Sequence, residues 1–346
     1  MMEVSRKTLE HWNPDGIITN VHLAHRGGVK DLSGVPVVGV GSFSHEQEAA
    51  LDLPLVTSNH AAIGKMAARH FIGKGFKSFA FCGGTARTSW CEQRRVGFQQ
   101  ELEDNHFDLS VYEPDFGSKV IMPEAIASLA KWLKGLPKPA GVFAFFDGWA
   151  RWILEACLLA DLKVPQEVAV LGVDNDRWLC ELSQPRLSSV DPNIATAGFM
   201  AAKILDGMLK GEKAPDLTTI DPVGVEERDS TDFMAFEESE VVFAVRYIRE
   251  HSCDPISPSD VLAVTGMSNS TAHRKFMKEL GHSIHAEIQR VQLERVKELL
   301  TTTNLSVTEV GEQAGFDNVR YFTKVFRDAF GCTPKHYRKT QGTAGV

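Results

Sequence analysis

Residues Ser306–Gly331 read SVTEVGEQAGFDNVRYFTKVFRDAFG, and an earlier stretch, Ser257–Gly281, reads SPSDVLAVTGMSNSTAHRKFMKELG. Each spells a short helix, a glycine-containing turn and a second helix with basic residues on its polar face. In the earlier stretch Ser257, Pro258 and Asp260 predict a helix start: a capping hydroxyl, proline at the first helical position and a carboxylate at the third. Gly266 supplies the turn and Ser268 caps the second helix. Ala272, Phe276 and Leu280 stand four apart on one buried stripe, and Gly281 ends the helix. Ser270, His273, Arg274 and Lys278 then face outward. The later stretch repeats the pattern. Ser306 and Glu309 predict a capping box, Gly315 the turn and Asp317 the next cap. Phe322, Phe326 and Phe330 face inward; Arg320, Thr323, Lys324 and Arg327 face out. Between the two, Ile284, Ile288, Val291, Val296 and Leu300 mark the buried side of a long amphipathic stretch. One helix there would fix the separation of the flanking units.

A helix presented in this way fits the DNA major groove, where base edges are readable. One such motif also suits an ordinary basic surface helix; two with matching caps and turns are harder to read so. Residues 239 to 339 resemble the AraC/XylS DNA-binding domain, and AGFDNVRYFTKVFRDAFGCTPKHYR in the second unit is close to that family's signature. The resemblance implies that the second helix of each unit enters the major groove. Carried over residue by residue, it assigns Ser270, His273 and Arg274 to the first reading helix and Arg320, Thr323 and Lys324 to the second.

Charge is unevenly spread. Residues 239–346 hold 14 Lys and Arg against 12 Asp and Glu, so the remainder of a chain of net charge −8 carries −10. Non-specific affinity for DNA follows phosphate neutralisation. An acidic body with a near-neutral tail is therefore no general nucleic-acid binder. The six cysteines (82, 91, 157, 180, 253 and 332) show no metal-ligand spacing and suit a reducing cytosol. No apolar run reaches membrane-spanning length, and MMEVSRKTLEHW lacks the apolar core of a signal peptide. These features predict a cytoplasmic protein.

The first 228 residues alternate between strands and helices. Strands are predicted at Gly16–Thr19, Val35–Val40, Ser78–Cys82, Gly141–Phe146 and Val168–Val173. Helices are predicted at Ala61–Gly73, Glu92–Glu103, Pro123–Leu133, Trp149–Ala160 and Ile194–Leu209. Continuous apolar strands suit a parallel sheet covered on both faces, and the alternation is that of a doubly wound α/β domain. Ligands of such sheets sit beyond the carboxyl ends of strands. There stand Gly83, Gly84, Trp90, Arg94, Asp147, Trp149 and Asp174 to Asp176. Carboxylates and a guanidinium suit sugar hydroxyls, and an indole suits the apolar face of a sugar ring. Other readings stand beside this one: Asp147 as a helix cap, Trp90 and Trp149 as core or interface residues, Arg94 or Arg95 as a solvated base.

Residues 36 to about 225 resemble the sugar-sensing domain of LacI/GalR-type repressors, a two-lobed periplasmic-binding-protein fold. HFIGKGFKSFAFCGG from His70, RRVGF from Arg94, GVFAFFDGWA from Gly141, VPQEVAVLGVDND from Val164 and LSSVD from Leu187 carry the likeness. It implies ligand contacts from Arg94, Phe146 and Asp174. LacI-type sensors usually carry asparagine where this chain has Phe146, so an aromatic surface replaces one polar contact. The first strand and helix of the fold are expected to be missing, leaving an incomplete first lobe with an uncovered edge, and Val35–Val40 reads as a later strand of that lobe.

The expected organisation is a sugar-sensing α/β domain at 1–228, a linker at 229–238 and an all-α double helix-turn-helix domain at 239–340. This order, with RDSTDF from Arg228 in the join, resembles the regulators of xylose operons. It implies double-stranded DNA, a small sugar (D-xylose or a related pentose) and RNA polymerase as partners, and a homodimer. The alternative is a DNA-binding regulator whose sensor half no longer binds sugar and serves only in dimerisation. An enzyme is not expected. G-x-S-x-G and H-E-x-x-H are absent, and GVGSFS from Gly39 lacks the third glycine of a dinucleotide loop and the G-K-[ST] of a P-loop. No cofactor or metal motif is present.

Overall fold

The computed structural model describes residues 11–20, 34–41, 53–83, 89–112 and 122–341. Gly84, expected near the ligand, lies outside them. The amino-terminal half forms two lobes. In the first, β1 (Ile17–Asn20), β2 (Val37–Val40), β3 (Leu55–Ser58) and β9 (Leu217–Ile220) pair in that order, all parallel. The second lobe holds six strands in the order β10 (Gly224–Glu226), β8 (Ser188–Asp191), β7 (Val168–Val173), β6 (Ala140–Ala144), β4 (Ser78–Cys82) and β5 (Leu109–Tyr112). Only β10 runs antiparallel to its neighbour among these described strands.

Helices α1 (His60–Gly73), α2 (Ser89–Asp104), α3 (Met122–Gly135), α4 (Asp147–Leu159) and α5 (Arg177–Leu182) belong to the second lobe. Helix α6 (Ile194–Leu209) buries Ala197 and Ala201 against Val38, Val56 and Ile220 of the first. The long β6 and β7 are buried at every position, as their unbroken apolar runs predict. Among the described strands β1 stands at one end of the first lobe's sheet, and Val37–Val40 lies inside it.

The chain crosses between lobes after β3, after β8 and after β9. Hydrogen bonds tie these crossings together. Asn59 Nδ2 donates to Asp221 Oδ1 at 2.7 Å, Asn193 Nδ2 to the Asp221 carbonyl at 3.3 Å, and the Val223 amide to the Asp191 carbonyl at 3.0 Å.

The carboxy-terminal domain is all helical: α7 (Ser239–Glu250), α8 (Pro258–Thr265), α9 (Asn269–Leu280), α10 (Ile284–Thr302), α11 (Val307–Gln313), α12 (Val319–Phe330) and α13 (Pro334–Gln341). The capping boxes at Ser257–Asp260 and Ser306–Glu309 form as expected, and Ser268 caps α9. One expected cap is corrected: Asn318, not Asp317, accepts from the amides of Arg320 and Tyr321. The side-chain amide oxygen sits one residue nearer the helix start, where both amides come within reach.

Two separate cores flank α10. Ile284 and Ile288 join Val241, Val245, Val261, Phe276 and Leu280. Val296 and Leu300 join Val310, Phe316, Phe322, Phe326 and Tyr337. A straight helix of 19 residues spans about 28 Å, so α10 sets the distance between the units. Among the described residues no helix is long and apolar enough to cross a membrane.

Candidate effector cleft and nucleic-acid interface

A cavity of about 410 Å³ opens between the lobes. The first lobe contributes Asn20, Val40, Thr57 and Ser58, at the carboxyl ends of β1, β2 and β3. The second contributes His60, Trp90, Arg94, Phe145, Phe146 and Asp174. The structure thus brings together four of the six residues expected at the ligand: Trp90, Arg94, Phe146 and Asp174.

Arg94 is 4% exposed and held from several sides. Its Nη1 donates to the Phe145 carbonyl, Nε donates to His60 Nδ1 at 3.3 Å, and Nη2 lies 3.5 Å from Asp174 Oδ1. The guanidinium also lies 5.0 Å from the centre of the Trp90 ring, which stacks on Phe145. Burial pushes the His60 ring down to about 3, with the Arg94 charge in support, so it remains a neutral acceptor at physiological pH. Burial raises the Asp174 carboxyl above the ordinary aspartate range, and Arg94 opposes that shift. Helices α1 and α2, which carry His60 and Arg94, cross with backbones in close approach. A Cβ on Gly64 would stand 2.1 Å from the Arg94 carbonyl oxygen, and one on Gly97 would stand 2.2 Å from that of Ala61.

Asp174 has φ of +110° and Asn175 has φ of +49°. Two consecutive non-glycine residues in this region are strained and persist only where neighbours hold them. Here the Asp174 amide donates to the Val190 carbonyl at 3.1 Å, the Asn175 amide to Ser189 Oγ at 3.0 Å, and the Asp176 amide to Asp147 Oδ2 at 2.9 Å. The other two expected contacts, Asp147 and Trp149, lie outside the cavity lining. Asp147 is 1% exposed, and its oxygens accept from Ser189, Cys180 and the Asp176 amide. Burial raises its carboxyl to about 7, against the pull of those hydrogen bonds. Asp147 therefore braces the turn that aims Asp174. The Trp149 indole donates to Cys82 Sγ at 3.0 Å within the core. His60 escaped the sequence reading because a lone histidine at the first position of a helix carries no periodic signal.

On the carboxy-terminal domain, Ser270, His273 and Arg274 are exposed on one face of α9. Arg320 and Lys324 are exposed on α12, and Thr323 is half-buried with its hydroxyl donating to the Val319 carbonyl. Arg320, Thr323, Lys324 and Arg327 line one shallow groove. Arg274, Arg320, Lys324 and Arg327 hold no ion pair with a described residue. Lys278 is exposed on the outward face as expected, and there it pairs with Glu237 at 3.1 Å and lies 3.6 Å from Glu238. These acidic partners lie outside the motif.

A family model described as a periplasmic binding protein-like domain matches residues 68–231, and one described as a helix-turn-helix domain matches residues 261–340. The xylose operon regulatory protein of Escherichia coli (strain K12) is 33% identical over 333 residues, 95% of this chain and 85% of that protein. The chain belongs to the xylose operon regulatory protein family. The Haemophilus influenzae member is 32% identical over 334 residues, 96% of this chain and 86% of that protein. The solved structure of the xylose-binding transcription activator xylR, 33% identical, covers 95% of this chain and 87% of its own, with a TM-score of 0.58. A periplasmic binding protein/LacI transcriptional regulator from Alkaliphilus metalliredigens, complexed with D-xylulofuranose, shares the sensor fold. It is 22% identical, covers 65% of this chain and 80% of its own, and has a TM-score of 0.52. Members of the xylose operon regulatory protein family are transcriptional regulators and not enzymes. In this member a two-lobed sensor precedes an AraC-type helix-turn-helix domain.

Proposed function

We propose that the chain is a sequence-specific DNA-binding regulator that takes D-xylose or a related pentose between its lobes and reads its operator with α9 and α12. The observation that carries the sensing half is the Arg94–Asp174 pair within a cavity walled by Trp90, Phe145 and Phe146. It offers a fixed donor fork, an acceptor pair and aromatic faces, which together suit a small polyol ring. Ser270, His273 and Arg274 on α9, and Arg320, Thr323 and Lys324 on α12, meet the DNA. A pentose touching both lobes binds the closed form better and shifts the population toward it.

The same reading includes a cytoplasmic homodimer that meets RNA polymerase where its site adjoins a promoter. Its six cysteines, none of them in a disulfide, suit a reducing compartment. A dimer face is supported by Leu158, Trp178 and Leu182, which stand 83%, 74% and 76% exposed on α4 and α5 beside Arg151 and Glu155. Arg151 and Glu155 lie one turn apart on α4 and pair with each other at 3.5 Å.

Isothermal titration with a panel of pentoses and hexoses tests the reading. Heat with a pentose that also changes operator affinity supports it. Silence with every sugar, beside intact operator binding, favours the sugar-blind regulator.

A further inference from the structure

The segment joining sensor and DNA-binding domain, Glu227 to Glu240, holds no glycine and no proline, and it is fastened along its length. At one end Arg228 Nη2 donates to Asn175 Oδ1 at 3.1 Å, Nε to Glu181 at 2.9 Å and Nη1 to the Leu187 carbonyl at 3.1 Å. Asn175 directly follows Asp174 in the strained turn at the cleft. Ser230 and Thr231 are wholly buried; Ser230 Oγ donates to the Val170 carbonyl of β7 at 2.6 Å, and Thr231 Oγ1 to Ser188 at 2.7 Å.

Further along, Phe233 meets Phe76 edge to face, and the Ala235 amide donates to the Lys74 carbonyl at 2.7 Å. Phe236 then belongs to the core of the first helix-turn-helix unit. Its ring covers Gly75, where φ is +83° and a Cβ would stand 2.3 Å away. At the other end Glu237 pairs with Lys278, and Glu238 and Glu240 pair with Lys275, all at 2.9–3.1 Å. Lys77 of the sensor adds a 2.9 Å hydrogen bond to the Glu279 carbonyl. Both lysines of α9 are thereby held.

A second line reaches the same place. Helix α1 starts at His60 in the cleft, and the turn that ends it contains Lys74 and Gly75. By contrast, the hydrogen bonds of α12 run to its own cap, to its own turn and to Gln289 of α10.

We propose that residues 228–240, docked on the turn at Gly73–Lys77, are the coupling element through which the effector cleft repositions the first reading helix, α9, while α12 makes no hydrogen bond to this strap among the described residues. The proposal rests on the reading that the cleft takes a pentose. A free tether would leave the two sites independent; a strap anchored at the ligand turn and on α9 gives them different energies in the open and closed states.

Two variants of the full chain test it. Phe236→Ala removes the central knob. Lys77→Ala combined with Glu237→Gln removes two surface fastenings and touches no core. Xylose affinity, measured by titration calorimetry, is expected to stay within about twofold of wild type in both, which also reports a folded sensor. The factor by which xylose changes operator affinity, of the order of 5- to 150-fold for a coupled regulator, is expected to fall at least about fivefold in Phe236→Ala and less in the surface pair. Hydrogen exchange on the wild-type chain should show a xylose-dependent change at 273–280 and none of like size at 319–330. Xylose binding with an undiminished factor in both variants, or equal exchange changes in the two segments, overturns the coupling alone. A wild-type chain that binds no xylose overturns the pentose reading and this proposal with it.

Discussion

The two helices proposed to read DNA share a plan and differ in their surroundings. Helix α9 carries two lysines turned into the acidic strap and keeps Arg274 exposed without an ion pair to a described residue. Helix α12 leaves Arg320, Lys324 and Arg327 together on one open groove. Their cores are also distinct, meeting only along α10. The difference teaches that basic residues in a helix-turn-helix motif do not by themselves count toward DNA affinity. The neighbourhood decides which are spent within the protein.

The largest effect expected is from Phe326→Ala, which empties the fully buried centre of the second unit and should cost about 3–5 kcal/mol of stability. If the two cores are separate, footprinting will lose protection under α12 and keep it under α9; loss of both together would break the comparison. Next, Asp174→Ala should weaken xylose binding by about 1.5–3 kcal/mol, read by calorimetry, with sugar-free operator affinity unchanged.

Arg320→Ala and Arg274→Ala should each cost about 1–3 kcal/mol on the cognate site and relax preference at one base position, read by selection from a randomised operator. The comparison sharpens if the Arg274→Ala loss depends on xylose and the Arg320→Ala loss does not. Equal loss on every sequence would make them phosphate contacts.

The smallest effect concerns pH, and the two domains should respond in opposite senses. Asp147 has a folded value raised to about 7 by burial. Its contribution to stability is full below the ordinary aspartate range and fades as pH rises through 7. Glu287, buried against Arg290 and His282, runs the other way. Burial alone would raise it, yet the Arg290 pairing holds it down to about 2, so its contribution is present at neutral pH and fades as pH falls from the ordinary glutamate range toward 2. Differential scanning calorimetry should therefore show the sensor transition falling by about 2–4 °C between pH 5 and 8. Asp147→Asn should flatten that slope.

The carboxy-terminal domain was legible almost throughout, because caps, turn glycines and four-residue apolar spacing are local signals. The buried strands β4, β6 and β7 were legible as unbroken apolar runs. Strands β3, β5, β8 and β9 were not read: each has four residues, and Ser188–Asp191 or Leu217–Ile220 mix polar and apolar residues with no clear alternation. At the site, Arg94 and Asp174 could be reached from strand ends and resemblance. The bracing role of Asp147 could not be separated from ligand contact, because it depends on Ser189, 42 residues away. The pairing of Lys275 and Lys278 depends on glutamates about forty residues earlier, beyond any helical period.

The single helix shared by both units acts as a ruler. Each added base pair between the two contacted stretches would turn one of them about 35° around the duplex, and the rigid span has no slack to follow. At the operators such a protein would read, one changed letter within a site would cost about 1–3 kcal/mol, while an insertion or deletion between its halves would take one of the two contacts away altogether.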